Sequence, residues 1–142
     1  MRIDFFTTNE GMDERAVRGG VYHVELLNKN TDSLISLYIG ESVWIVARCG
    51  EHLYSLYDNP NYFGLTKEDL EDDDLTLRFS VLEEIEGKKS VLGVGKYKDT
   101  ELKYIQKNNP ITQFRTSDRQ LNDIDKKVQN VQFVMGKYGF KK

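Results

Sequence analysis

Apolar and polar positions alternate with a period of two in three stretches of this chain. From Val21 to Leu27, Tyr22, Val24 and Leu26 fall on one side and Val21, His23 and Glu25 on the other. That period predicts a strand with two distinct faces. Leu34 to Ile39 predicts a second strand, and the polar run from Asn28 to Ser33 predicts a turn that makes the two a hairpin. Leu75, Leu77, Phe79 and Val81 alternate in the same way and predict a third, half-buried strand.

Elsewhere the period changes to that of a helix. Ile45, Cys49, Leu53 and Leu56 form an apolar stripe, with Ser42 the expected N-cap. Trp44, Arg48 and His52 recur every four residues and share a different face of that helix. The cluster Asp58-Asn59-Pro60-Asn61 ends it. Thr66 and Asp69 stand at the spacing of an imperfect capping box for a short helix. Lys98–Lys107 predicts another helix, with Leu102 and Ile105 facing inward and Asn108-Asn109-Pro110 terminating it. Leu121–Val128 predicts a short helix, while the alternation of Val131, Phe133 and Met135 predicts an edge strand. Residues 1–18 are mixed and polar and predict irregular packing. The fold class expected is α/β in the α+β sense: a small central antiparallel sheet of three main strands flanked by helices.

Composition narrows the class without naming a function. The 142 residues suit one domain with one core, and 39% hydrophobic with 30% charged residues is the balance of a globular chain. There is no apolar run of bilayer length and no apolar stretch of signal-peptide type near Met1. Cys49 is the only cysteine, which rules out an internal disulfide and points to a core thiol in a reducing cytoplasmic setting. The net charge of −3 hides a strong asymmetry. Residues 57–86 carry ten acids and two bases, and residues 87–142 carry thirteen bases and five acids. A polyanion responds to the local field of the basic part and not to the total.

The chemistry-bearing groups are Tyr22, Tyr38, Arg48, His52 and Glu101. Glu101 can ligate a hard cation such as Mg²⁺ or Mn²⁺ through oxygen, with substrate phosphate and water completing the shell. The Arg48 guanidinium suits phosphate oxygens. Tyr22 and Tyr38 lie on paired strands, and a tyrosine becomes a useful base only beside positive charge or an acceptor such as His52. Each of these groups alone is most simply a packing or surface residue, and Tyr62, Tyr97 and Tyr104 are read as such. Their order along the chain is what carries the functional argument.

Gly20-Val21-Tyr22, then Tyr38-Ile39-Gly40 with Ser42, then Arg48 and His52, resembles the GIY-YIG endonuclease family. Glu101-Leu102-Lys103-Tyr104-Ile105 followed by Asn109-Pro110 resembles that family's later helix with its metal-binding glutamate. The resemblance covers roughly residues 19–113 and leaves 114–142 as a basic C-terminal extension of a single domain. Val21 stands where isoleucine is usual, and Gln113 lies where members often carry asparagine.

The resemblance implies a metal-dependent DNA endonuclease leaving 5′-phosphate and 3′-hydroxyl ends. Tyr22 would act as general base, Tyr38 would place the water and phosphate, and Arg48 would bind the scissile phosphate. His52 would polarise Tyr22, Glu101 would hold one Mg²⁺ or Mn²⁺ ion, and Gln113 would donate hydrogen bonds beside it. Lys96, Lys98, Lys103, Lys107, Arg115 and Arg119 are the expected DNA backbone contacts. No nucleotide cofactor and no membrane are expected, and a homodimer would supply two sites for a double-strand break. The alternatives are a nucleic-acid-binding module of the same fold that does not cleave, and a protein-interaction domain using the acidic 57–86 segment.

Overall fold

A computed structural model describes residues 1–85, 93–113 and 123–140, the side chains of 93–97 excepted. Its elements in chain order are β1 (Arg2–Phe5), β2 (Thr7–Thr8), β3 (Gly11–Met12), β4 (Gly20–Asn28), β5 (Ser33–Ser42), α1 (Ile45–Asp58), α2 (Lys67–Glu71), β6 (Leu75–Glu84), α3 (Gly93–Asn108) and α4 (Ile124–Lys137). Short 3₁₀ turns at Glu14–Val17 and Pro60–Phe63 join them.

The expected three-stranded antiparallel sheet is corrected here. The main sheet has four strands of mixed direction in the order β1-β6-β4-β5, and β2 and β3 form a separate two-stranded sheet. β4 runs antiparallel to both β5 and β6, whereas β1 pairs with β6 in parallel, Ile3 opposite Leu77 and Phe5 opposite Phe79. The segment 1–18, expected to be irregular, thus supplies an edge strand. Only one side of that strand is apolar: Ile3 and Phe5 pack on the core, and Phe5 meets Phe79 edge-on at 5.4 Å. Such a short alternation is a weak local signal, and its partner is distant in sequence.

The long hairpin follows its alternation, with one irregularity that matters. Tyr38 pairs with Val24 and Ser36 with Glu25, so Leu37 is the extra residue of a β-bulge. Both Leu37 and Tyr38 enter the main core as a result. That core fills one face of the sheet with Tyr22, Val24 and Leu26, and α1, the 60–63 turn and α4 cover it through Ile45, Cys49, Leu56, Phe63, Val131 and Met135. On the other face Ile105 of α3 packs with Val21, Ile39 and Ile85.

Helix ends differ from expectation in instructive ways. α1 begins at Ile45 with Trp44 as N-cap and no capping side chain, so Ser42 is not the cap. Ser42 remains in β5, and its Oγ accepts from the Trp44 amide at 3.0 Å. The Ile45 amide donates to the Arg18 carbonyl at 3.0 Å, which satisfies one orphan donor from outside the helix. α2 carries a complete capping box: Thr66 and Asp69 each bond the other's amide. α3 stops at Asn109, whose φ of 49° is the left-handed conformation that ends helices.

The expected edge strand at Val131, Phe133 and Met135 is instead the second half of α4. Val131 and Met135 lie one turn apart and are buried, while Phe133 is 73% exposed. A period of two over five residues was too short to distinguish strand from helix. Gly64 explains how close α4 comes: a Cβ there would overlap Val131 and the Lys127 carbonyl. No helix of the described residues is long and apolar enough to cross a membrane.

Candidate active site

The hairpin brings Tyr22 and Tyr38 side by side on the face covered by α1, with ring centroids 6.1 Å apart. Gly40 pairs with Tyr22 across the strands, and its missing side chain is a physical requirement. A Cβ at Gly40 would overlap the Tyr22 hydroxyl and the Tyr38 ring. Gly20 opposes the β6 backbone as closely, since a Cβ there would overlap the Glu83 carbonyl. The two glycines that edge the tyrosine motifs are therefore where the sheet has no room for side chains.

α1 delivers His52 into this pair. The Tyr22 hydroxyl lies 2.6 Å from His52 Nε2, and His52 Nδ1 lies 2.7 Å from the Tyr62 hydroxyl. His52 thus bridges two phenols, with Phe63 packed against its ring at a centroid distance of 5.7 Å. Burial, reinforced by the nearby Arg48 cation, pushes the imidazole down to about 3, so it is neutral at pH 7.

The phenols are held protonated for the same reason. Burial drives Tyr22 far above its ordinary value, with Tyr38 adding to the effect and Arg48 opposing it. Burial and then the Glu101 carboxylate push Tyr38 up to about 12, again against Arg48. Glu101 of α3 and Arg48 of α1 thus act electrostatically, in opposite directions, on the same tyrosine. Glu101 is itself buried at 4% exposure.

Arg48 is the accessible member, with its side chain 46% exposed. Its Nη1 donates to Glu51 Oε2 at 2.7 Å, one turn along α1, and that bond raises its already high value. Tyr22, Tyr38 and Tyr62 all lie close enough to act on the guanidinium. Tyr22, Tyr38, Arg48 and His52 therefore lie together on the α1 side of the sheet, and Glu101, on the helix that packs the other face, is tied to them through its electrostatic effect on Tyr38.

Gln113 takes a role different from the expected donor. Its Nε2 donates to the Ile39 carbonyl at 2.6 Å, and its Oε1 accepts from the Ile39 amide at 2.9 Å. The side-chain amide extends the sheet as a strand would, on the open edge of β5. Thr112 continues the strap, its Oγ1 donating to the Leu37 carbonyl at 2.7 Å. The residue secures the Tyr38-Ile39-Gly40 backbone from outside.

Among the described residues no cluster of three or more His, Cys, Asp or Glu groups forms a metal cage. The donor expected from the sequence, Glu101, is a single buried carboxylate. That fits a hard cation completed by substrate oxygens and water, which is how Mg²⁺ commonly binds, and does not fit a closed all-protein site. Of the expected DNA contacts, Lys98, Lys103 and Lys107 are exposed on α3. The Lys96 side chain, Arg115 and Arg119 lie outside the described residues.

Tyr62 is the site residue that sequence reasoning missed. It follows a breaker cluster, and nothing in its spacing to His52 marks it. A tyrosine immediately after the end of a helix that carries a buried histidine was the one available hint. No family model matches this chain, and neither a curated protein nor a solved structure matches it.

Proposed function

We propose that this chain is a metal-dependent endonuclease of GIY-YIG type that hydrolyses DNA phosphodiester bonds by in-line attack of water. The observation that carries the reading is the 2.6 Å contact between the Tyr22 hydroxyl and a neutral His52 Nε2, with Arg48 exposed beside it. A neutral imidazole is a competent acceptor, so the attacking water can pass its proton to the Tyr22 oxygen while Tyr22 passes its own to His52. No free phenolate is needed, which suits two phenols whose ionisation burial opposes. Arg48 exchanges Glu51 for the scissile phosphate and stabilises the charge that develops there. Glu101 would hold the divalent cation. When bound, that ion would polarise the phosphate and assist the leaving oxygen.

Lys98, Lys103 and Lys107 would contact the DNA backbone from α3. Two such sites in a homodimer would cut both strands, and one would nick. A single buried thiol at Cys49 accords with a cytoplasmic location.

A second reading, a DNA-binding module of the same fold without cleavage, is favoured by one specific feature. Tyr22 is 0% exposed, so water must be admitted beside Tyr38 for the chemistry to run. Supercoiled plasmid separates the two. Purified protein with Mg²⁺ or Mn²⁺ is expected to yield nicked or linear DNA, and neither Glu101→Ala protein nor protein in chelator should do so. Retained DNA binding with no cleavage under any cation would favour the second reading. Loss of both would remove both.

A further inference from the structure

Trp44, Arg48 and His52 follow one another at single-turn intervals on one face of α1, and the Arg48 amide donates to the Trp44 carbonyl at 3.2 Å. Exposure climbs along that face. His52 is 1% exposed, the Arg48 side chain 46% and Trp44 58%. The stripe leads from the Tyr22–His52 contact, over the guanidinium, to an indole in water. The nuclease reading uses His52 and Arg48 and gives Trp44 no part. A strand whose phosphate sits on Arg48 meets that indole next.

The backbone that carries Trp44 is held in place. Its amide donates to Ser42 Oγ at 3.0 Å, and the Ile45 amide beside it donates to the Arg18 carbonyl at 3.0 Å. The second bond holds the 14–17 turn against the start of the helix. Val17 of that turn and Val43, next to Trp44, are also exposed. The start of α1 thus offers an indole and two valines beside a guanidinium that already shares its charge with Glu51. Fully paired DNA presents phosphates and groove edges and hides the faces of its bases in the stack. An unpaired base exposes its π-face and stacks on an aromatic side chain whatever its sequence. The surface suits the unpaired base.

We propose that Trp44 is a base-stacking platform, and that the DNA this chain acts on carries an unpaired nucleotide beside the scissile phosphate. The proposal rests on the nuclease reading, which puts that phosphate on Arg48. The neighbouring base lies flat on the indole and removes its apolar face from water. Stacking then fixes the strand over the buried site. An already unpaired base reaches the indole at the least cost, because no pairing has to be broken.

Trp44 is the only tryptophan, so its fluorescence reports on this surface alone. The protein is titrated in chelator, which prevents cutting, with three DNAs: oligothymidylate, a duplex carrying an unpaired thymidine, and the same duplex fully paired. The anisotropy of a dye on the DNA reports binding. The first two are expected to quench the emission as they bind, and the paired duplex to leave it nearly unchanged. Trp44→Ala is expected to weaken binding of the unpaired-thymidine duplex about tenfold, within what one stacked base contributes. Trp44→Phe, which keeps a ring, should weaken it less. Binding without quenching, or equal quenching by the paired duplex, overturns the proposal and leaves the nuclease reading intact. Emission that follows protein concentration and not DNA overturns it too, and assigns the surface to a second copy of this chain. If none of the three DNAs binds at low salt, the nuclease reading falls and the platform falls with it.

Discussion

Acid should weaken this fold through one identifiable proton. His52 is 1% exposed, and burial beside Arg48 holds it at about 3, against 6.5 for an ordinary histidine. The folded pKa lies below the unfolded one, so below about pH 6.5 the unfolded chain takes up a proton that the folded chain refuses. Stability from this group is complete above the unfolded value and is lost as pH falls toward the folded one. At pH 4.5 the unfolded imidazole is almost fully charged and the folded one almost neutral, so the loss is about 2–3 kcal/mol relative to pH 7.5. That figure hardly changes for any folded pKa below about 4, because the unfolded group sets it. His23 is also depressed by burial, so the whole protein is not the right comparison. The assay is urea denaturation of the parent and His52→Gln at pH 7.5, 6.0 and 4.5. His23 and the carboxylates are common to both and cancel. The parent should lose about 2–3 kcal/mol more than the variant across that range. Parallel stability curves would show that folded His52 takes up a proton as readily as the unfolded chain does, which would contradict the burial effect described for it.

Gly40→Ala should cost about 1–3 kcal/mol, because the added methyl overlaps Tyr22 and Tyr38 inside the sheet; an unchanged urea midpoint would contradict the packing described. Gln113→Ala removes two hydrogen bonds from the Ile39 backbone and should cost about 1–3 kcal/mol. Amide exchange at Ile39 should speed up in that variant, and unaltered protection would show that the strap is dispensable. Arg48→Ala should leave stability within about 1 kcal/mol, since the Arg48–Glu51 pair is exposed, yet reduce turnover far more than DNA affinity. Equal turnover in variant and parent on one duplex would dismiss Arg48 from the chemistry. Glu51→Gln removes an anion that competes for the guanidinium and should tighten DNA binding at low salt; weaker binding would mean that Glu51 orients Arg48 instead.

Much of this molecule was present in local pattern. Alternation from Val21 to Leu27 and from Leu75 to Val81 specified strands, though both faces of β4 are buried and only β6 keeps one open, and the stripe Ile45, Cys49, Leu56 specified the inner side of α1. Where the pattern was short it misled. Ile3 and Phe5 are too few to announce a strand whose parallel partner lies far along the chain. Val131, Phe133 and Met135 alternate by coincidence within a helix whose inner face is Val131 and Met135.

By itself the sequence determined which side chains were available to one another: a tyrosine on each hairpin strand, Arg48 and His52 four residues apart on one helix, and glycines where the sheet is tight. Periodicity encodes that much because strands and helices repeat locally. Only tertiary structure decided what those groups are. Burial made His52 a neutral imidazole, the bulge at Leu37 turned Tyr38 inward, and the β5 edge made a strap of Gln113. The 60–63 turn, locked by α4, set Tyr62 on the far nitrogen of the imidazole. Proton affinity and hydrogen-bond partnership depend on what surrounds a group in space, and that is settled only when distant segments pack together.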